Sequence, residues 1–377
     1  MLATCLLNIE MNTNLMALQV YTKENWLNGY GSESSRRVAD VSFNMFNLFC
    51  DSKIEEKMEQ YQALSIKGDI QSICQDLHRF VQFLSQDHDE ILLNKDHSPT
   101  PFKKKSPMTI RLYFGFIKQY LRQCHRIKLL PDDIKDFIRF PKAIKEQRQP
   151  ILIDTLKKIC AFASPTRRTL YYVLTSSGMR VGEALALRKS DFHLDEDPVR
   201  ITIRAVTTKT NEGRETYISF EAVEMLKLII AGKEDNDLIF TGFKNNRLAV
   251  LNEEQYFFKL RERMASKSPE MLDKYPDSCR HIVNIHSMRS YFHTKASQKH
   301  GIEYANALDG HGAYLKQYYR EDPKERARKY KELEPSLLIE KYKPESEKTK
   351  DKIISNLQEE MKKLQDKMTC LEAMNKP

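Results

Sequence analysis

The sequence predicts two domains, an all-α one followed by a mainly α one that contains a small β-hairpin or sheet. Its 377 residues, of which 41% are hydrophobic, are enough to bury one large core or two moderate ones. Apolar residues recur at helical spacing through the first half, whereas an apolar–polar alternation typical of a strand occurs in the second half. Pro150, which follows a strongly basic stretch, marks the start of the second unit.

Helical periodicity describes residues 34–145, which we interpret as the first domain. Either Ser34 or Ser35 provides the capping residue of its first helix. In this first helix the apolar periodicity runs from residue 38 to residue 50. Further helices are predicted at residues 73–84, 108–126 and 132–140, with a proline-containing break at 97–101. The preceding residues 1–33 have little periodicity and are predicted to form a loosely ordered arm.

The second domain is predicted over residues 150–344. Its helices are expected at residues 152–162, 166–177, 221–230, 253–264 and 288–299, with Asn252 as the N-cap of the fourth. Between the second and third helices, residues 199–205 and 216–220 alternate like strands, and Asn211-Glu212-Gly213 provides a turn between them. This domain is therefore expected to be α+β.

Residues 345–377 form a separate, polar tail that is predicted to be helical. Apolar residues in this tail alternate spacings of three and four, as in the seam of a coiled coil: Ile354, Leu357, Met361, Leu364, Met368 and Leu371. The seam extends over only about two and a half heptads, fewer than a secure coiled coil needs. The tail is therefore expected either to pair with a second copy or to pack on the body of the protein.

The charge distribution favours a polyanionic partner. The chain carries a net charge of +9 and has a pI near 9.0. Residues 101–149 hold thirteen basic and four acidic residues, so this stretch has the same excess as the whole chain. Nucleic acid is favoured over an anionic membrane surface, although an ordinary solvated helix face would have a similar composition. The residues expected to bind DNA are Lys103, Lys104, Lys105, Arg111, Lys118 and Arg122.

The sequence argues against several other classes of protein. It has no run of 18 apolar residues, and its first residues lack the basic segment of a secretory signal, so an intracellular location is expected. With a nucleic-acid partner, that location is expected to be cytoplasmic and nucleoid-associated. The seven cysteines are scattered, with no Cys-x-x-Cys pair that would predict a zinc knuckle or a disulfide framework. The sequence also contains no carboxylate cluster that would predict a Mg²⁺ site.

Short fragments of the second domain carry the candidate catalytic groups. Arg180 follows a glycine turn, and Glu183, three residues later, can brace its guanidinium as a clamp for a phosphate. Lys209 lies at the hairpin turn, from which a lysine can donate a proton to a substrate. Each fragment alone is also compatible with surface residues that have no catalytic role, since salt bridges at this spacing and solvated lysines are common on protein surfaces.

Two further fragments lie closer to the carboxyl end. His286 and Arg289 are three residues apart near a helix start, so both can face one phosphate. His311 follows a glycine, and Tyr318 and Tyr319 follow shortly after it. A tyrosine placed there is a candidate nucleophile.

The order of these fragments resembles the tyrosine recombinase (phage integrase) family. The family pattern of Arg, Lys, His-x-x-Arg, His or Trp, and Tyr is matched by Arg180, Lys209, His286, Arg289, His311 and a tyrosine at 318 or 319. The stretches SSGMRVGEALALRKSDF and HSMRSYFHTKAS also resemble the first and second boxes of the family. The resemblance covers residues from about 150 to 340. The Tyr-Tyr-Arg ending and the Lys/Glu-rich tail that follows it are more similar to archaeal integrases than to bacterial ones.

This resemblance implies recombination or integration of double-stranded DNA at specific sites. The reaction would pass through a covalent 3′-phosphotyrosyl intermediate and use no metal, ATP or other cofactor. The arginines and histidines would stabilise the charge on the phosphate, with Glu183 orienting Arg180. Lys209 would be the general acid, and His286 would accept the tyrosine proton.

The resemblance also has implications for the first domain and for assembly. Residues 34–145 would form the core-binding domain, which closes a C-shaped clamp around duplex DNA together with the catalytic domain at 150–344. Self-association into a dimer or tetramer on DNA is expected, with no membrane partner. The target sequence and the direction of the reaction are not determined by the sequence.

Both the choice of nucleophile and the type of activity have alternatives. The family usually places the tyrosine nine residues after the Gly-His histidine, whereas Tyr319 lies eight residues after His311 and Tyr318 lies seven. Tyr319 is the expected nucleophile, and Tyr318 is the alternative. A type IB topoisomerase has a similar site, and a DNA-binding accessory protein could keep the fold without the chemistry.

Overall fold

The computed structural model describes residues 21–93, 99–143, 148–275, 280–311 and 321–340. The chain forms two compact units, one that ends at Lys145 and one that begins at Glu146. The predicted tail at 345–377 lies outside the described residues, as does most of the predicted arm. None of the described helices combines the length and the apolar composition needed to cross a membrane.

The first unit is predominantly helical. Its described elements are α1 (Lys23–Asn28), α2 (Glu33–Phe49), α3 (Ile54–Ile66), α4 (Ile70–Leu84), β1 (His88–Leu93), β2 (Pro99–Phe102), α5 (Pro107–Cys124) and α6 (Pro131–Phe137). Helices α2, α4, α5 and α6 confirm the helices predicted from periodicity, with ends that differ by a few residues. Helix α3 was not predicted, because its buried residues are confined to Ile54, Met58 and Tyr61 and leave a weak apolar stripe.

Residues 23–28 correct the prediction of a loosely ordered arm up to residue 33. The hydroxyl of Thr22 accepts a hydrogen bond from the backbone N–H of Asn25 and so caps α1. Trp26 is buried, and its ring lies edge-on to Tyr120, with 5.3 Å between the ring centroids. The order of this short helix therefore comes from packing on α5, which local periodicity does not reveal.

A two-stranded antiparallel ribbon also departs from the prediction for the first unit. Strands β1 and β2 pair from His88 opposite Phe102 to Leu93 opposite Pro99, across a segment interpreted as a simple break. Apolar residues 91–93 are consecutive and prolines lie at 99 and 101, so the sequence lacks the alternation that indicates a strand. Phe102 is fully buried, with its ring centroid 5.1 Å from that of Phe83.

The second unit is mainly α with one small sheet, as predicted. Its described helices are α7 (Ile153–Phe162), α8 (Pro165–Ser177), α9 (Val181–Leu185), α10 (Phe220–Ile230), α11 (Asn246–Ala265), α12 (His286–His300), α13 (Ile302–Asp309) and α14 (Pro323–Leu333). Strands β3 (Phe192–His193), β4 (Arg200–Ile203) and β5 (Arg214–Tyr217) form an antiparallel sheet in sequence order. The predicted hairpin is β4–β5, and β3 extends it by one short strand.

Helix α11 begins at Asn246, seven residues before the predicted start. The side chain of Asn245 accepts a hydrogen bond from the backbone N–H of Leu248, 3.2 Å away, and caps the helix. Asn252, the predicted cap, lies inside α11, where its side chain accepts a hydrogen bond from Arg167. Asparagine is a suitable cap at either position, so residue type alone does not distinguish them. The prediction of Asn252 as the N-cap is therefore wrong.

Helix α8 is the centre of the second unit. All its residues from Thr169 to Ser177 are buried, and α7, α10 and α12 pack on it. The hydroxyl of Tyr330 on α14 donates a hydrogen bond to the carbonyl oxygen of Ser176, 2.7 Å away. The helix ends at Gly178, whose φ of 67° reverses the chain and places Arg180 at the start of α9.

Gly178 provides a test of this packing, because a Cβ there would lie 2.2 Å from Cδ1 of Phe292. Gly232 has a similar φ of 77°, but apart from its chain neighbours no described atom lies within 4 Å of its Cβ position. We expect Gly232→Ala to lower the free energy of unfolding by about 1–2 kcal/mol, the cost of a left-handed residue. Gly178→Ala should lose about 1–3 kcal/mol more from overpacking. Urea unfolding followed by circular dichroism measures both losses, and equal losses would contradict the close packing of Phe292.

Candidate active site

Arg180 and Glu183 are joined at the start of α9. The backbone N–H of Arg180 donates to Oε2 of Glu183 at 2.9 Å, and Nη1 of Arg180 donates to Oε1 at 3.0 Å. The Glu183 side chain is only 2% exposed, whereas that of Arg180 is 33% exposed. The carboxylate therefore bonds to the guanidinium on its buried side and leaves the exposed part of Arg180 accessible to a ligand.

Arg214 is a second partner of Glu183 that sequence reasoning missed. Its Nη2 donates to Oε2 of Glu183 at 2.6 Å and its Nη1 donates to Oε1 at 3.1 Å, a bidentate pair between nearly buried side chains. Burial alone would raise the pKa of Glu183, but the hydrogen bonds and charge of Arg214, together with Arg180, hold that pKa below its usual value. Glu183 is therefore ionised at neutral pH.

Arg214 also links the sheet to the residues before His311. Its Nε donates to the carbonyl oxygen of Leu308 at 2.9 Å. Gly310, with φ of 80°, ends α13, and a Cβ at this position would lie 3.0 Å from Cζ of Arg214. A glycine is therefore required both by the backbone conformation and by the approach of the guanidinium.

Arg289 lies deepest in the cluster, with a side chain that is 2% exposed. Its Nη1 donates to the carbonyl oxygens of Gly178 and Asp309, and its Nη2 lies 3.5 Å from Oδ1 of Asp309. Burial lowers the pKa of Arg289 to about 10, against the opposing charge of Asp309. The group remains cationic at neutral pH, and its buried Nε has no hydrogen-bond acceptor among the described residues.

His311 and His293 share one buried carboxylate. Nδ1 of each imidazole lies 2.8 Å from Oδ2 of Asp309, which is fully buried, whereas His311 is 46% exposed. The backbone N–H of His311 donates to the other oxygen, Oδ1, at 2.9 Å. The nitrogen and oxygen atoms with which His293, Asp309 and His311 could bind a metal lie within 4.8 Å of one another. Among the described residues, these three form a group with the spacing of a metal site.

His286 lies at the first residue of α12 and is exposed. Partial loss of hydration, followed by the positive charges of Arg289 and Arg280, lowers its pKa. A lowered pKa leaves the imidazole neutral at neutral pH, which is the form that can accept a proton.

The other predicted catalytic residues are not joined to this cluster by any described contact. Lys209 lies in the exposed turn between β4 and β5, and its side chain has no hydrogen bond or ion pair with a described residue. Tyr318 and Tyr319 lie outside the described residues. The structure therefore brings together Arg180, Glu183, Arg289 and His311, and it leaves the acid and the nucleophile as predictions.

The residues expected to bind DNA lie in the first unit. Arg111, Lys118 and Arg122 share one face of α5, because the positions seven and eleven residues after Arg111 lie about 20° to either side of it around the helix. None of the three has an ion-pair partner in the described chain, although Arg111 lies over the ring of Phe140. Their charges are therefore not neutralised by neighbouring acids.

The three lysines before α5 differ from one another. Lys103 and Lys104 are exposed. Lys105 is half-buried, its Nζ lies 4.6 Å from the ring centroid of Phe102, and burial lowers its pKa. Its ammonium is therefore less free to meet a ligand than those of its two neighbours.

The site carries more positive than negative charge. Arg180, Arg214 and Arg289 share the two buried carboxylates of Glu183 and Asp309, which leaves an excess of one cation before any histidine is protonated. The exposed parts of Arg180 and His311 face the surface. An oxyanion is the ligand that this arrangement can bind, because fixed guanidinium donors match the oxygens of a phosphate.

A comparison with models of protein families agrees with a site that binds an oxyanion. Residues 143–312 match the model of the phage integrase family, and the match includes each residue of the arginine–histidine cluster. This part of the chain is a phage integrase domain. The family indicated by the sequence resemblance is thereby confirmed, while Tyr318 and Tyr319 lie beyond the matched residues.

Two relatives are similar to parts of the chain. A probable integrase/recombinase of Acholeplasma phage L2 is 27% identical over 130 residues, which cover 34% of this chain and 43% of the relative. The tyrosine recombinase XerC of Chlamydia muridarum is 22% identical over 195 residues, which cover 49% of this chain and 59% of the relative. The chain thus spans about half the length of these relatives.

Solved structures with a similar arrangement include two integrases bound to DNA. The Tn1549 transposon integrase in complex with transposon right end DNA has a TM-score of 0.45 at 14% identity, covering 69% of this chain and 84% of that one. A λ integrase dimer bound to a core site has a TM-score of 0.42 at 13% identity, covering 80% and 98%.

The contact between Arg214 and Glu183 in the integrase domain can be tested by substitution. Arg214→Gln leaves a buried carboxylate with Arg180 alone, so we expect a loss of about 2–3 kcal/mol in the free energy of unfolding, less than for a fully orphaned ion. Arg200 on β4 pairs with Glu196 and Glu215 at the surface, and Arg200→Gln should lose about 1 kcal/mol or less. Urea unfolding at pH 7 compares the two variants.

The pH dependence of this loss has a definite sign. Because the pKa of Glu183 is held below its ordinary value of 4.5, its stabilising effect is complete above that value and is lost as the pH falls through the folded pKa. The deficit of the Arg214→Gln variant should therefore shrink in acid. A deficit that is constant from pH 7 to pH 3 would show that Arg214 stabilises the fold by packing alone.

Proposed function

We propose that the protein is a tyrosine site-specific recombinase that cuts and rejoins double-stranded DNA. The observation that carries this proposal is the excess of fixed positive charge at the cluster of Arg180, Arg214 and Arg289, within a phage integrase domain. The phosphodiester of DNA is an anion whose charge grows as a nucleophile attacks. A site with immobilised guanidinium groups stabilises this growing charge without the reorganisation that water would need.

The proposed reaction begins with attack of a tyrosine oxygen on the phosphorus. A P–O bond forms to the tyrosine while the bond to the 5′ oxygen breaks, and the product is a 3′-phosphotyrosyl link with a free 5′ hydroxyl. A second 5′ hydroxyl reverses the step, so the bond energy is conserved and strand exchange needs neither metal nor ATP. Arg180 and Arg289 are the proposed phosphate clamps, with a further hydrogen bond from His311.

Proton transfer is assigned to two residues. His286 is the proposed acceptor of the tyrosine proton, which is supported by the lowered pKa that keeps its ring neutral. Lys209 is the proposed donor to the leaving 5′ oxygen. Its turn belongs to the same hairpin as Arg214, five residues later, and the bonds of Arg214 to Glu183 and Leu308 anchor that hairpin at the cluster.

The first unit is the proposed core-binding domain. The cations of α5, which have no ion-pair partner among the described residues, support contact with phosphates. Gly115 lies on the same face, and beyond its own stretch of helix no described atom lies within 4 Å of its Cβ position. The absence of a side chain at Gly115 lets a nucleic-acid backbone approach the helix. Self-association on DNA and a location at the nucleoid follow from the proposed activity and belong to the same proposal.

A nicked suicide substrate tests the reaction and the nucleophile. Tyr319→Phe should abolish the covalent protein–DNA adduct and leave DNA affinity within about twofold, because only the nucleophilic oxygen is removed. Tyr318→Phe, the matched control, should retain the adduct. Denaturing electrophoresis measures the adduct, and the phosphorylated peptide identifies the residue.

The same substrate separates the competing functions. A wild-type protein that binds DNA and forms no adduct would be an accessory protein. An enzyme that relaxes supercoiled DNA and never exchanges strands between two sites would be a topoisomerase. An adduct on residue 318 would overturn the choice of tyrosine and leave the recombinase intact.

The α5 face can be tested by its salt dependence. We expect Arg111→Gln, Lys118→Gln and Arg122→Gln together to weaken DNA binding for all sequences and to reduce the slope of log affinity against log salt by about 2–3, close to 0.9 per lost phosphate contact. A matched triple variant replaces Lys23, Lys57 and Arg79, which are paired with carboxylates in the same unit. It removes the same charge and should change the slope by less than about 1. Equal slopes for both variants would refute this binding face.

A further inference from the structure

We propose that Asp309 and His293 are positioning residues that hold His311 in one tautomer and one orientation, with Nε2 presented to the DNA phosphate. This inference rests on the proposed function, because it assigns roles around the same site. Neither Asp309 nor His293 belongs to the set of residues predicted from the sequence. The geometry that carries it is a single buried carboxylate shared by two histidines and an arginine.

The carboxylate of Asp309 is fully bonded. Oδ2 lies 2.8 Å from Nδ1 of His293 and 2.8 Å from Nδ1 of His311. Oδ1 accepts the backbone N–H of His311 at 2.9 Å and lies 3.5 Å from Nη2 of Arg289. A carboxylate with no exposed surface needs these donors, since each replaces a hydrogen bond to water.

These distances determine which nitrogen of His311 carries the proton. An ionised carboxylate can only accept, so an Nδ1 that lies 2.8 Å from Oδ2 must donate to it. An Nδ1 lone pair in that position would face the lone pairs of the carboxylate and be repelled. The neutral ring of His311 therefore has its proton on Nδ1 and leaves Nε2 unprotonated, in a side chain that is 46% exposed.

Arg289 could oppose this assignment only by donating to Nδ1 of His311. Its Nη2 lies 3.1 Å from Nδ1 and 3.4 Å from Nε2, almost equally far from both ring nitrogens. A donor aligned with the lone pair of one nitrogen would lie clearly nearer to that one, so this contact is not a directed hydrogen bond. The carboxylate decides the tautomer, and the guanidinium lies against the ring.

His293 is the second anchor of the carboxylate. It lies one turn after Arg289 on α12, and its ring is edge-on to that of His311, with 5.3 Å between the centroids. Its Nδ1 bonds to the same oxygen, so it restrains the rotation of the carboxylate about its side chain. Without this bond, Oδ2 could turn away from His311.

The position of Nε2 matters in both protonation states. A neutral His311 with its proton on Nδ1 offers Nε2 as an acceptor, and a protonated His311 offers an Nε2–H donor to a phosphate oxygen while Nδ1 still bonds to Asp309. The same atom can thus exchange a proton with the reacting groups as charge develops on the phosphate.

The same three residues could instead be considered a metal site. The guanidinium of Arg289 lies 3.1 Å from His311 and 3.5 Å from the carboxylate, so a cation placed there would be repelled by a buried positive charge. The 2.8 Å separations are also those of direct hydrogen bonds. We therefore assign the group to proton positioning.

The test uses the full-length protein labelled with ¹⁵N at histidine, without DNA, and reads imidazole nitrogen shifts. Comparison with His311→Gln and His293→Asn identifies the two rings. We expect His311 to carry its proton on Nδ1 in the wild type. In Asp309→Asn, this form should give way to a mixture that includes the Nε2–H form, because an amide no longer demands a donor at both histidines.

The rates of adduct formation at saturating DNA give the second measurement. Asp309→Asn should be slowed about 100-fold, within the range of a positioned acid–base group. His293→Leu, which removes the anchor, should be slowed about 10-fold, and His293→Asn should restore most of the rate because its amide N–H occupies the place of Nδ1. His300→Gln, a control on the same helix, should react at the wild-type rate.

Three results would overturn the inference. One is a wild-type His311 with its proton on Nε2, and another is an Asp309→Asn variant whose shifts and rate are unchanged. The third is binding of Zn²⁺ by the wild type that is lost in Asp309→Asn, which would make the group a metal site. If the wild type forms no adduct but the shifts change as expected, the proposed function fails while the positioning by Asp309 stands.

Discussion

The burial of the Arg289 guanidinium is the constraint on which the rest of the second unit depends. An ion with 2% exposure is stable only if its donors are bonded and its charge is opposed nearby. Nη1 donates to the carbonyl oxygens of Gly178 and Asp309, and the carboxylate of Asp309 opposes the charge, while Nε alone has no acceptor among the described residues. The end of α8, the start of α12 and the end of α13 must therefore meet around one side chain.

This constraint explains the two left-handed glycines around the cluster. Gly178 turns the chain so that its carbonyl oxygen faces Arg289 while its missing side chain leaves room for Phe292. Gly310 reverses the chain directly after Asp309, and its missing Cβ leaves room for the guanidinium of Arg214. Each turn delivers a carbonyl oxygen or carboxylate to an arginine, so the backbone conformation serves the electrostatics.

The parts of the molecule that could be predicted are those with local causes. Long amphipathic helices such as α4 are visible in the sequence because their apolar residues repeat within a few turns. The pair of Arg180 and Glu183 was visible because its residues are three apart on one chain segment. Motif order then added Arg289 and His311, whose separation in sequence gives no local clue.

The parts that could not be predicted depend on distant partners. Helix α1 is ordered through the contact of Trp26 with Tyr120, nearly a hundred residues away. Arg214 looks like an ordinary strand residue until the fold brings Glu183 and Leu308 to it. Asp309 lies only two residues before His311, but its role depends on burial, which the sequence does not reveal.

The two buried carboxylates have opposite consequences in a site proposed to bind an anion. Each negative charge weakens the attraction for a phosphate, yet without Glu183 and Asp309 the guanidiniums would repel one another. The carboxylates lie on the buried side of the arginines, at 2% exposure or less, while Arg180 and His311 keep exposed surface. An approaching phosphate therefore meets the donors first and the acids only at a greater distance. A small net positive charge with fixed geometry binds a developing oxyanion better than a larger but mobile charge, because no donor has to be reoriented as the phosphorus reacts.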